Sequence, residues 1–181
     1  MDRVMIFIDG SNLFHSLGDI ESQTGTKLRI DYERFKKVLT DVKQDRRLIR
    51  PYFYGSSPGQ EPPKQAAFYT RLRYMGYEVK IFPLKEIAGT RMKEKMVDIS
   101  LAADMLLFGH KNIYDVAILV SGDKDFTPAV KAVKEMGKFI EIAGFRHSTS
   151  PELIQQVGTE NFICLDDICD SVALVPQGGN P

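Results

Sequence analysis

Cysteine and histidine are scarce in this chain, no long apolar run is present, and neither sign of charge is in surplus. The two cysteines, Cys164 and Cys169, are not spaced as CxxC and have no histidine cluster beside them. That argues against zinc and fits reduced thiols in a cytoplasmic protein. The three histidines, His15, His110 and His147, are scattered and form no metal spacing. No stretch approaches the roughly 20 apolar residues of a membrane span, so no membrane is expected as a partner. Asp2 and Arg3 before a short strand do not make a signal peptide. Lys plus Arg and Asp plus Glu both number 24, so nucleic-acid binding has to rest on a local surface and not on bulk charge. Neither GxGxxG nor GxxxxGK[ST] occurs, which removes the dinucleotide fingerprint and the P-loop.

What is present is 181 residues, 43% of them hydrophobic and 27% charged, enough for one domain with its own core. Residues 1–170 read as that domain and 171–181 as a flexible tail ending in "PQGGNP". Short apolar runs alternate with amphipathic segments. Strands are predicted at 4–8, "LIRPYFYG", "EVKIFPL", "VAILVS", "FIEIAGF" and "FICL". Helices are predicted at 11–20 with Ser11 as N-cap, from Asp31 onward, and over "KQAAFYTRLRYMGY", "KMVDISLAADMLLFG", "DFTPAVKAVKEMG" and "PELIQQV". Residues 21–29 and "KEIAGTRMKEK" read as a loop and a polar connector, and Pro51 argues against a central place for the second strand. The alternation predicts an α/β fold built on an open, mostly parallel sheet with helices on both faces.

Two strands end on acids. "VMIFIDGSNLF" runs from five apolar residues into Asp9, and "VAILVSGDKDF" runs into Asp123. Ligands of open α/β sheets bind beyond the C-terminal strand ends, so neighbouring strands would bring both carboxylates to one edge. Asp98 lies near the start of the fourth long helix, at that same edge, and Asp104 is roughly 9 Å further along the helix axis. Asp9, Asp98, Asp123 and Asp125 around one volume would repel each other unless a hard divalent cation, Mg²⁺ or Mn²⁺, sat among them. A metal held there activates water against a phosphodiester. Asn12 would orient that water or a phosphate, and Lys95 would contact an anionic backbone. Ser11 and Ser121, with glycines beside them, complete the substrate-binding set.

"FIDGSNL", "KMVDISLAADM" and "LVSGDKDFTPAVKAVKEMGK", in that order, resemble the NYN domain of the LabA-like (DUF88) group in the PIN-like nuclease superfamily. The resemblance spans roughly residues 3 to 165. It implies a Rossmann-like three-layer α/β/α sandwich and a metal-dependent ribonuclease acting on RNA. By motif, Asp9, Asn12, Asp98 and Asp123 carry the catalysis, and Asp9, Asp98, Asp123 and Asp125 the metal.

Each residue also has a plainer reading. Asp9 and Asp125 can cap helices, Asp123 can close an Asx turn, and Asp98 can be a first-turn acid. Asp104 reads as structural. "PYFYG" reads as core, and the basic stretch 35–50 as a solvated face or a phosphate-tracking patch. The apolar "SVALV" offers a homodimer contact. The rival functions are a non-catalytic module binding RNA or protein, and a haloacid-dehalogenase-like phosphatase, whose DxDxT is spoiled here by Ser11.

Overall fold

Alternate residues of the first apolar run serve two different cores. Val4, Ile6 and Ile8 point to one side of a sheet, Met5 and Phe7 to the other, and all five are buried. A strand covered on both faces reads as an unbroken apolar run, which is why the "VMIFI" and "VAILV" segments lack alternation. The computed structural model describes residues 1–25, 27–57, 62–83, 85–87, 90–92 and 95–172, with the stretches between 85 and 95 described through their backbone alone.

The chain runs β1 (Asp2–Asp9), α1 (Gly10–Thr24), α2 (Tyr32–Asp41), β2 (Arg46–Ser57), α3 (Pro63–Tyr74), β3 (Glu78–Pro83), β4 (Lys85–Ile87), β5 (Thr90–Met92), α4 (Lys95–His110), β6 (Val116–Val120), α5 (Thr127–Glu135), β7 (Phe139–Gly144), α6 (Pro151–Val157), β8 (Phe162–Cys164) and α7 (Leu165–Val172). Six strands form one sheet in the order β3-β2-β1-β6-β7-β8, and every pairing in it is parallel. Helices α1, α2, α3 and α7 supply Leu13, Phe35, Leu39, Leu72 and Val172 to the core on the Ile6 face. On the Phe7 face α4, α5 and α6 supply Leu101, Met105, Val130, Val133 and Leu153. This is a three-layer α/β/α fold. No helix among the described residues is long and apolar enough to cross a membrane.

Several local expectations change. Asp9, not Ser11, caps α1, which starts at Gly10 and runs on to Thr24 through part of the expected loop. Asp31 caps α2 as expected, accepting from the backbone of Glu33 and Arg34. Strand β2 is interior despite Pro51. Its pairing with β3 begins only at Tyr52, and its register with β1 shifts just before the proline, so Pro51 sits where one neighbour is missing. The polar connector contains the antiparallel pair β4–β5. Helix α7 continues to Val172, so regular structure crosses the boundary drawn at residue 170. Val172 is buried against the chain's own core, and its carbonyl accepts from the Asp31 N–H, so this part of "SVALV" is already covered. The rest of the tail lies outside the described residues. "PYFYG" is core: Phe53 and Tyr54 are fully buried.

Candidate active site at the carboxyl edge of the sheet

Strand order reverses between β1 and β6, since β1 leads outward to β2 and β3 while β6 leads outward to β7 and β8. The crevice beyond such a switch point is where open α/β sheets bind ligands. Ile8 pairs with Val120, so Asp9 and Ser121 are the next residues on adjacent strands. Ser121 donates a 3.0 Å hydrogen bond to Asp9 Oδ2, while Oδ1 accepts the Asn12 N–H at 3.1 Å. Asp9 is only 3% exposed. Both of these donors are neutral, and together they fix the carboxylate in one orientation.

Glycine makes the close approach possible. A Cβ on Gly10 would lie 2.4 Å from the Phe53 ring and 2.7 Å from the Tyr54 carbonyl oxygen, so α1 can begin directly beside β2 only without a side chain. Gly122 is tighter: its Cβ would fall 2.1 Å from the Ser148 carbonyl. The Gly122 carbonyl accepts from the Ser150 N–H at 2.9 Å, which clamps the loop after β6 to the loop after β7. The hydroxyls of Ser16 and Ser148 share a 2.7 Å hydrogen bond and tie α1 to the same loop.

Asn12 closes the set from α1. Its Oδ1 accepts the Gly122 N–H at 2.9 Å, so its firmest role is a staple between the α1 start and the β6 loop. Asp123 joins Asp9 through one hydroxyl: Ser121 Oγ donates to Asp9 and accepts the Asp123 N–H at 3.2 Å. The Asp123 carboxylate accepts the Asp125 N–H at 2.9 Å and caps a short 3-10 turn at Lys124–Phe126. Asp125 therefore does not cap the helix; it is exposed inside that turn and lines an open depression with Thr127 and Glu152. Asp98 is half-buried in the first turn of α4, which packs over the face that Asp9 and Phe7 share. Ser11 is half-buried in the first turn of α1. The Lys95 side chain lies outside the described residues.

Thus Asp9, Asn12, Ser121 and Asp123 form one bonded unit, Asp98 lies at the same edge by topology, and Asp125 joins through its backbone N–H with its side chain exposed. Among the described residues, no three Asp, Glu, His or Cys side chains converge closely enough to cage a metal ion. The expected cage of four carboxylates is therefore more open than the strand ends suggested. The donor set is nevertheless all oxygen, and Mg²⁺ takes only one or two direct carboxylates with water and phosphate completing its shell. The residues fit such an ion at that level.

Asp104 has a separate occupation. It accepts from the Tyr54 hydroxyl at 2.7 Å and from Lys80 Nζ at 2.6 Å. Tyr54 pairs with Asp9 on one side and with Lys80 on the other, so this cluster abuts the site without joining it. Burial, reinforced by the Asp104 hydrogen bond, drives the Tyr54 phenol far above its ordinary pKa, so it stays a donor. The partners of Asp104 were missed in the sequence, because the Tyr54–Lys80 register that brings them together is set between strands. The basic stretch 35–50 is also spoken for in part. Lys36 pairs with Glu33, and Lys43 and Arg46 both reach Glu141.

A family model for the NYN domain matches residues 3–166. The low amplitude and bright protein LabA of Synechococcus elongatus is 28% identical over 171 residues, covering 92% of this chain and 85% of LabA. The crystal structure of a protein of unknown function from Vibrio parahaemolyticus superposes with a TM-score of 0.74 at 24% identity. It covers 96% of both chains and shares the fold.

Proposed function

This chain belongs to the NYN domain family, and from that premise we propose that it is a metal-dependent ribonuclease cutting RNA phosphodiester bonds at the Asp9 edge. The observation that carries the reading is the buried Asp9 carboxylate at the switch point, oriented by Ser121 and linked through that hydroxyl to Asp123. Asp9, Asp98 and Asp123 would hold Mg²⁺ or Mn²⁺, with Asp125 the outermost candidate. When bound, such an ion supplies a more acidic water and offsets the charge that builds on the phosphodiester.

The chain's own residues do the rest. Asp9 is held against rotation by two hydrogen bonds, so its orientation is set before substrate arrives. Asn12 fixes the α1 start against Gly122, and its amide N–H groups make no hydrogen bond among the described residues. They would donate to a phosphate oxygen or to water. Ser11 and Lys95 would contact the RNA backbone, and the buried Ser121 would act through Asp9. The reading places the protein in the cytoplasm, with its thiols reduced. The domain that acts runs at least to Val172, where α7 ends against the core.

A second reading, a module that binds RNA or protein without cutting, draws support from the absence of a three-carboxylate cage among the described residues. The deciding experiment is cleavage of labelled single-stranded RNA, structured RNA and single-stranded DNA in Mg²⁺, Mn²⁺ and EDTA, with Asp9→Asn beside the wild type. Cutting that needs the metal and is lost in the variant supports the nuclease. A folded, metal-replete wild type that cuts nothing supports the binding module.

A further inference from the structure

Resting on the RNA-cleaving reading, we propose that single-stranded RNA leaves the Asp9 edge along a groove between α1 and α3, with bases against Phe14 and Phe68 and phosphates on Arg29, Lys64 and Arg71. The groove has a volume of about 840 Å³ and is lined by α1, the segment entering α2, and α3. It lies on the Ile6 face, so it is not part of the acidic crevice.

Three observations carry the assignment. The first is aromatic. Phe14 is 45% exposed and stands at the head of a cluster of rings. Its ring stands 5.7 Å from Phe68, which in turn stands 5.4 Å from Tyr32, so the groove has a continuous aromatic wall. The buried Tyr32 hydroxyl in that wall has no hydrogen-bond partner among the described residues.

The second observation is charge. Arg29, Lys64 and Arg71 line the groove and make no ion pair among the described residues. The two acids that also line it are engaged: Glu21 stands 3.8 Å from Lys27, and Asp31 caps α2 and stands 3.5 Å from Arg34. The rim left to a ligand is cationic.

The third is continuity. Phe14 follows Asp9 by five residues, about 7 Å along α1, so the aromatic wall begins within two turns of the residue after β1. Stacking surfaces beside a cationic track are what unpaired RNA requires, whereas a duplex hides its bases.

The test is fluorescence anisotropy of a labelled oligouridine of about 12 nucleotides in EDTA, which separates binding from cleavage. Wild type is compared with Phe14→Ala and with the double charge reversal Lys64→Glu/Arg71→Glu, each checked for an unchanged melting temperature. The expected result is a Kd raised about tenfold by Phe14→Ala, more by the charge reversal, and a shallower salt dependence in the latter. Unchanged Kd in both variants overturns the groove even where Asp9→Asn abolishes cutting. So does a wild type that binds no RNA, or a charge reversal that alters only self-association or acidic-peptide capture. Weakened binding in a protein that never cuts would keep the groove and remove the nuclease.

Discussion

The two ends of the sheet use charge in opposite ways. At the amino end, opposite charges are matched. Arg3 grips Asp115 through two nitrogens, at 2.7 and 2.9 Å. Arg46 grips the Glu141 carboxylate at 2.7 and 2.9 Å, and Lys43 meets the same group at 2.6 Å. At the carboxyl end Asp9 accepts from a hydroxyl and a backbone N–H, and Asp123 is anchored through the same hydroxyl. The first arrangement neutralises charge, half-exposed at Arg3 and buried at Arg46. The second sets carboxylates at the strand ends where open α/β sheets bind ligands.

The comparison breaks most sharply at Arg46. It and Glu141 are both nearly fully buried, so truncating the arginine strands a carboxylate in the core. Arg46→Ala is expected to cost about 3 kcal/mol, the low end of the range for such pairs because Lys43 still reaches Glu141. Urea unfolding measures it. The double variant Arg46→Met/Glu141→Leu should recover most of the loss, since no charge is then buried.

Asp9→Asn should do the reverse. Asparagine keeps an oxygen to accept the Asn12 N–H, so the melting temperature should stay near that of the wild type. RNA cleavage should fall about 100-fold or more, since even groups one shell away from a metal cost 10- to 100-fold. A variant that unfolds while the residual activity per folded molecule is unchanged would move Asp9 from the site to the scaffold.

The contrast between the two ends was only half legible in the sequence. The sheet, its six strands and the helices between them follow from apolar runs and glycine stops, because burial on two faces leaves a mark at every residue. The placing of Asp9 and Asp123 beyond neighbouring strand ends was legible for the same reason, since each follows such a run. Glu141 was not, although it interrupts "FIEIAGF" in plain view, because its partners lie near residues 43 and 46 and no local pattern names them. The bonding of Asn12 to Gly122 was equally hidden, since its cause is a loop-to-loop clamp through Ser148 and Ser150. The openness of the acidic set depends on side-chain directions, which strand ends do not encode.

Acid should attack the amino end through Glu141. Burial alone would raise the Glu141 carboxyl, but hydrogen bonds from Arg46 and Lys43 outweigh it and hold the group below its ordinary value of 4.5. A depressed carboxyl contributes stability that is fully present above the unfolded value and is lost as pH falls through the folded one. The melting temperature should therefore hold down to about pH 5 and fall steeply below it. Glu141→Gln should flatten that descent, whatever it costs at neutral pH. Equal steepness in wild type and variant would place the acid sensitivity elsewhere.

The smallest expected effect lies within one helix, where α4 carries an acid for each purpose. Asp98 sits in its first turn at the site edge, while Asp104 is engaged with Tyr54 and Lys80. Tyr54→Phe removes one hydrogen bond and leaves the Lys80 pair intact, so it should cost about 1 kcal/mol by denaturant titration. Cleavage per folded molecule should be retained, because the phenol has no part in the Asp9 unit. Asp98→Asn should show the opposite pattern, with little change in stability and a large loss of cutting. If Tyr54→Phe lost activity as severely as Asp98→Asn, the Asp104 cluster would belong to the site. The division between an end that holds charge for the fold and an end that holds it for a ligand would then have to be drawn one turn further along α4.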